Sequence, residues 1–205
     1  MSKFLEVFDP ISGELVDKAE LAGKECVREI VNDALAAQTV WEDMPLYARG
    51  EILYRFADLL EQDAERISTL SAREMAKPIE QARGETLDGV KLIRAAVERA
   101  KHLYGEVLAD NGPGFEHDLV FTRREPLGVI ACIIPFNFPI ELTFQKIAPA
   151  LIMGNAVIVK APSSNPLAVL ALQELADKAG IPAGVATFLV CERDAMTECV
   201  IHDER

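Results

Sequence analysis

The sequence predicts an α/β fold, a parallel sheet with flanking helices, preceded by a helical amino-terminal region. Gly128–Ile134 and Ala156–Val159 are short, continuous apolar runs, the pattern of strands buried on both faces of a parallel sheet. Between them Ile140, Phe144, Ile147 and Leu151 recur at every third or fourth position, one helical stripe that covers such a sheet. A second helix and a third apolar run, Ala186–Val190, extend the unit to β-α-β-α-β. That order is one mononucleotide-binding half of a Rossmann-like sheet.

Taken in order, Phe4–Phe8 and Leu15–Val16 flank the turn-rich Asp9-Pro10-Ile11-Ser12-Gly13 and read as an opening hairpin. A helix over Glu25–Gln38 follows, closed by Trp41. Pro45 starts a long helix in which Leu46, Leu53, Phe56, Leu60, Ile67 and Leu70 form one uninterrupted stripe. Pro78 breaks it, and Ile79, Ala82, Thr86, Val90, Ile93, Val97 and Ala100 resume the period, so the two helices are expected to pack as an antiparallel hairpin. Met75, Lys77 and Glu80 read as helix-end chemistry with no further role. Residues 105–117 form a loop centred on Asn111-Gly112-Pro113-Gly114. Its G-x-G follows no strand and opens no helix, so it is not a dinucleotide fingerprint. A strand is expected over Leu119–Arg124. After the central unit Asn165 caps, Pro166 starts and Gly180 ends a helix that exposes Gln173, Glu174 and Asp177. The expected division is therefore 1–117, hairpin and helical region; 118–126, a separate strand; and 127–205, the half-sheet.

Composition sets the outer bounds. The 205 residues are half apolar, ample for a core, and carry a net charge of −12. Such a surface repels nucleic acid and anionic membrane alike, and neither is expected as a partner. Cys26, Cys132, Cys191 and Cys199 form no C-x-x-C pair and have no histidines at metal spacing, which fits free thiols in a reducing compartment and no metal site. Cys132 lies within an apolar strand and reads as core. The amino terminus lacks the basic-then-apolar layout of a leader, and no apolar run is long enough to span a bilayer. A cytoplasmic location is expected.

The chemistry converges on two loops. Pro135-Phe136-Asn137 follows the first strand and Lys160-Ala161-Pro162-Ser163 the second. The strands of a β-α-β crossover are parallel, so both loops emerge on one carboxyl edge, where open α/β sheets bind ligands. By residue chemistry alone Asn137 is a candidate cap for the helix that Pro139 starts. Lys160 reads as a solvated lysine ending a buried strand, Ser163 and Ser164 as loop polar residues, and Lys146 as a salt-bridged surface lysine.

The segment PFNFP, the helix bearing Lys146, and GNAVIVKAPSSNP after it resemble the aldehyde dehydrogenase superfamily, whose members carry P-[WF]-N-F-P and G-N-x-V-[IV]-x-K at this spacing. The resemblance covers most of the chain in element order, and residues 126–166 carry nearly all of its specificity. It implies an incomplete aldehyde dehydrogenase fold and NAD(P)-dependent oxidation of an aldehyde to a carboxylic acid through a cysteine thioester, with NADP or NAD as cofactor. Asn137 then matches the asparagine whose amide binds the oxyanion, a task suited to a neutral donor aimed at developing charge. Lys160 matches the lysine that binds the adenosine ribose, and Lys146 one implicated in proton relay in some relatives. Ile134, Pro135, Phe136, Pro162 and Ser163 fall with Lys160 along the cofactor cleft. Ser163 stands where many NAD-preferring relatives have a glutamate; a hydroxyl is smaller and uncharged, so NADP is admitted. Phe136 in place of tryptophan is similar to semialdehyde and other short-chain aldehyde oxidisers.

The chain also departs from the family pattern. Cys191-Glu192-Arg193-Asp194 stands where relatives have a glycine-containing turn. The resemblance places the nucleophilic cysteine, the general base and the catalytic domain beyond Arg205, and the strand over 119–124 in an oligomerisation arm of a homodimer or homotetramer. The 205 residues alone are therefore expected to be inactive. The other reading is a short, non-catalytic nucleotide-binding or interaction module of dehydrogenase ancestry. A complete small enzyme using one of its own cysteines is disfavoured, because no thiol has a base nearby in sequence.

Overall fold

The structure, a computed structural model, describes residues 3–108 and 112–204. Five strands form one sheet: β1 (Lys3–Phe8), β2 (Leu15–Ala22), β3 (Val129–Ile133), β4 (Ala156–Lys160) and β5 (Ala186–Cys191), in the order β1-β2-β5-β4-β3. β3, β4 and β5 pair in parallel, as the expected half-sheet requires. The opening hairpin joins the same sheet, because the last residues of β2 pair in parallel with the end of β5 (Leu21 with Val190, Ala22 with Cys191).

The helices are α1 (Lys24–Asp43), α2 (Leu46–Gln62), α3 (Ala64–Met75), α4 (Ile79–Ala100), α5 (Pro139–Ile152), α6 (Leu167–Leu170), α7 (Leu172–Ala179) and α8 (Arg193–Met196), followed by a π-helical turn, Thr197–Ile201. α5 is the centre of the core. Its predicted stripe of Ile140, Phe144, Ile147 and Leu151 is fully buried, sandwiched between the sheet and the α2–α4 layer. Phe144 meets Phe56 of α2 edge-on, with ring centroids 5.5 Å apart.

Where α5 runs into β4, donors from α1 and α2 converge on the exposed carbonyls of the helix end. Trp41 Nε1 donates to Leu151 O at 2.8 Å, Arg49 Nε to Ile152 O at 3.0 Å and Gln38 Nε2 to Gly154 O at 3.2 Å. Arg49 Nη1 also donates to the carbonyls of Trp41, Glu42 and Met44 at the end of α1. One buried guanidinium thus closes two helices, and Trp41 is there for its N–H as well as its apolar surface.

Four expectations are corrected. The long helix after Pro45 is two, because Asp63 leaves helical geometry (φ −98°, ψ 10°) and its carboxylate binds Arg66 Nε. Hydrogen bonds run through the junction (Asp63 N to Leu59 O, Ile67 N to Asp63 O), so the stripe stays continuous across the break. The helix after Pro166 likewise breaks at Ala171 into α6 and α7, and Gln173 is not merely exposed. Its amide pairs with β5, Nε2 donating to Ala186 O and Oε1 accepting from Phe188 N. Leu119–Arg124 is not a strand. Among the described residues Val107 and Phe121 form one isolated bridge, with Leu119 and Phe121 left exposed, because a lone ribbon has no apolar face to bury against. Asn111, at the centre of the expected loop, lies outside the described residues. Finally, β3 is not buried on both faces along its whole length, for only its start, Val129 and Ile130, is half-buried against the core on either side. As the edge strand it hides Cys132 and exposes Ala131 and Ile133, whereas β4, in the middle, is buried almost throughout.

Glycine has a packing role at one helix crossing. A Cβ on Gly89 of α4 would sit 2.6 Å from Phe144 Cδ2, whereas one on Gly84 meets nothing within 4 Å. We expect Gly89→Ala to destabilise the fold by about 1–3 kcal/mol through overpacking. Gly84→Ala, by contrast, should stabilise it by about 0.5–1 kcal/mol through helix propensity. Urea unfolding of the two variants tests this; equal midpoints would mean that α4 and α5 do not meet as described.

No helix among the described residues is long and apolar enough to cross a membrane.

Candidate active site

The two loops meet as the β-α-β reading requires. Ile133 pairs with Lys160 at the ends of β3 and β4, and Ile134 N donates to Lys160 O at 3.1 Å. Residues 134–138 and 160–164 therefore leave the sheet side by side on its carboxyl edge. Asn165 ties them together further out, its Nδ2 donating to Phe136 O at 3.0 Å.

Within this pair of loops Ile134 and Pro162 are buried, while Pro135, Phe136, Asn137 and Ser163 are exposed. Lys160 is half-buried and donates one of its ammonium hydrogens to Ala161 O at 3.1 Å, which leaves two for a ligand. Lys146 is exposed on α5 and enters no ion pair among the described residues, so the salt-bridged reading of it fails. The Lys146 ammonium acts weakly on the Cys132 thiol. Burial dominates there and pushes that thiol up to about 11, so Cys132 is inert core. Burial likewise raises Cys191, and Cys199 is buried, whereas Cys26 is exposed in the first turn of α1.

Asn137 caps nothing. Phe138 holds the cap position of α5 and no cap side chain bonds the helix. The exposed N–H groups are taken instead by Glu85 of α4, whose Oε1 accepts from Ile140 N at 2.7 Å and Glu141 N at 3.3 Å. Asn165 does not cap α6 either. There Glu74 of α3 accepts from Leu167 N at 2.7 Å and Ala168 N at 3.0 Å. Both glutamates are buried, and burial pushes Glu74 up to about 7 against the pull of its two backbone donors. Both helices behind the site loops thus start on carboxylates supplied by the helical region. Lys77, to which the sequence assigned nothing, is paired with Glu85 Oε2, and its Nζ donates to Asn137 O at 2.7 Å. A visible sign of these residues existed: Glu85 and Glu74 continue the buried faces of their helices, one turn from Ala82 and Leu70.

The outcome is an Asn137 side-chain amide exposed on the carboxyl edge and, among the described residues, without a partner. The same edge carries Lys160, with spare donors, and Ser163, whose hydroxyl has no partner among the described residues. Neutral and cationic donors over a partly apolar floor fit the ribose and phosphate side of a dinucleotide.

The sequence profile of the aldehyde dehydrogenase family matches residues 1–205. The chain belongs to the aldehyde dehydrogenase family. It is 34% identical over 202 residues to the NADP-dependent glyceraldehyde-3-phosphate dehydrogenase of Streptococcus equinus, covering 98% of this chain and 42% of that protein. It is 35% identical over 199 residues to the non-phosphorylating aspartate-semialdehyde dehydrogenase of Halomonas elongata, covering 97% and 40%. The solved NADP complex of the NADP-dependent glyceraldehyde-3-phosphate dehydrogenase from Bacillus halodurans superposes with a TM-score of 0.88 at 33% identity, over 95% of this chain and 41% of that one. The chain thus spans about two fifths of the length of these relatives. Its mixed fold is a partial aldehyde dehydrogenase fold.

Proposed function

We propose that these residues supply the oxyanion donor and the ribose-binding edge of the cofactor cleft in a cytoplasmic, homo-oligomeric, NAD(P)-dependent aldehyde dehydrogenase. The observation that carries this is the exposed amide of Asn137, without a partner among the described residues, on the same carboxyl edge as Lys160 and Ser163. When bound, the nicotinamide cofactor accepts hydride from the substrate carbon. Asn137 Nδ2 donates to the substrate oxygen, on which negative charge grows as a thiolate adds to the aldehyde carbon. Lys160 uses its two spare hydrogens on ribose hydroxyls, and Ser163 donates or accepts beside it. Ile134, Pro135, Phe136 and Pro162 form the apolar wall and exclude water from the cofactor's ribose. Lys146, exposed on α5 and in no ion pair among the described residues, is the weaker candidate for moving a proton.

On this reading none of the four cysteines is the nucleophile. Three are buried, and Cys26 lies in the first turn of α1, just after β2, a strand that β5 and β4 separate from β3. The 205 residues alone then oxidise no aldehyde. The substrate class we favour is a short aldehyde or semialdehyde, on Phe136 and on the relative that acts on aspartate semialdehyde.

Ser163 gives the direct test. A glutamate there would bring a carboxylate within several ångströms of a 2′-phosphate, a repulsion on the order of a few kcal/mol at an effective dielectric of about 20. Ser163→Glu should therefore shift the ratio of NADP to NAD affinity by about tenfold or more towards NAD. Because Lys160 still pairs with the phosphate, NADP binding is weakened, not abolished. Titration of the two cofactors into both proteins measures the ratio. A ratio that stays put means Ser163 faces away from the ribose and the cleft assignment is wrong.

A further inference from the structure

We propose that Lys77 is a positioning residue that aims the Asn137 amide by holding the backbone on which it is mounted. The inference rests on reading Asn137 as the oxyanion donor. Lys77 lies in the tight turn between α3 and α4, after Ala76 in the left-handed region (φ 55°) and before Pro78. Its side chain is only 6% exposed. It crosses to the β3–α5 loop, where its Nζ donates to Asn137 O at 2.7 Å and lies 4.4 Å from the centre of the Phe138 ring. Its counter-charge, Glu85, is buried as deeply and grips the first turn of α5 through its other oxygen.

The consequence is geometric. The carbonyl of Phe136 belongs to the peptide plane before the Asn137 Cα, and the carbonyl of Asn137 to the plane after it. Asn165 Nδ2 holds the first and Lys77 Nζ the second. With both planes held, φ and ψ of Asn137 are fixed, and so is the direction of its Cα–Cβ bond. Only the two side-chain torsions remain for the amide to search. A buried ammonium is costly unless paired and hydrogen-bonded, and here both conditions are met by groups that frame the same loop. A lysine needed only to neutralise Glu85 would have no reason to reach the Asn137 carbonyl as well.

The test is a double-mutant cycle on kcat in the aldehyde-oxidising chain that carries these residues. Lys77→Met leaves Glu85 charged and unpaired, so it is paired with Glu85→Gln, which retains an acceptor for the α5 amides. The expected result is a fall in kcat of about 10- to 100-fold from misplacement of the donor. The cofactor KM should stay within about threefold, because ground-state binding is not what is lost. Introduced into an Asn137→Ala background, the same pair of substitutions should cost nothing further, since the group they position is gone. Lys77→Arg, which keeps the charge and a donor, should restore part of the loss. An equal fall in kcat with and without Asn137 overturns the proposal, since Lys77 would then act through folding or another route. An unchanged kcat in the Lys77→Met/Glu85→Gln protein overturns it too. If Asn137→Ala alone leaves kcat unchanged, the oxyanion reading fails, and the proposal falls with it.

Discussion

Replacing Asn137 with alanine should lower kcat of the aldehyde-oxidising chain by about 10²- to 10³-fold, the usual cost of losing one oxyanion donor. Cofactor affinity and folding stability should hardly change. The three expectations have one source. A donor that meets its partner only as charge develops contributes to the transition state and not to the bound ground state, so the loss falls on kcat and kcat/KM together. A helix cap would behave differently, since its loss costs about 1 kcal/mol of stability whether or not substrate is present. The structure has already moved the capping duty to Glu85, whose carboxylate takes the Ile140 and Glu141 amides. Thermal unfolding run beside steady-state kinetics separates the two. Parallel losses of stability and turnover would return Asn137 to a structural role.

What the sequence made legible follows from periodicity. The α5 stripe and the three apolar runs were readable because each element repeats its own burial pattern along consecutive residues. The ends of two such runs then placed Asn137 and Lys160 on one edge, an expectation that the Ile133–Lys160 register meets. The reading failed where the answer came from a residue distant in sequence. Local capping rules pointed to Asn137 and Asn165, since both precede a proline-started helix. The caps came instead from Glu85 and Glu74, 55 and 93 residues away from the amides they bind. With that duty removed, Asn165 is free to tie the two loops together and Asn137 to face outward. β3 misled for a related reason. An apolar run marks a strand but does not say whether its outer face has a neighbour, and in this chain β3 is at the edge. Lys77 was passed over because a lysine at a helix end is ordinary; only the fold shows that it is buried.

Glu74 should make the stability of this chain depend on pH in the opposite sense to an ordinary paired carboxylate. Most such groups are held charged by the fold and lose stability as acid protonates them. Glu74 is 3% exposed, and burial raises it from 4.5 to about 7 although Ala168 N and Leu167 N both favour the charged form. Between those two values the folded chain binds the proton that the unfolded chain has released, so folding is favoured by acid. The contribution is complete below pH ~4.5 and is lost as pH rises through about 7, a span worth on the order of 3 kcal/mol. Glu74→Gln removes the titration and keeps one carbonyl acceptor for the two α6 amides, at the cost of turning an amide donor towards one of them. The difference in unfolding free energy between the native chain and this variant isolates Glu74 from every other titrating group. That difference should favour the native chain most near pH 5 and decline steadily towards pH 8. Two curves that run parallel over this range would mean that Glu74 carries its charge in the folded chain throughout, balanced by the helix it caps.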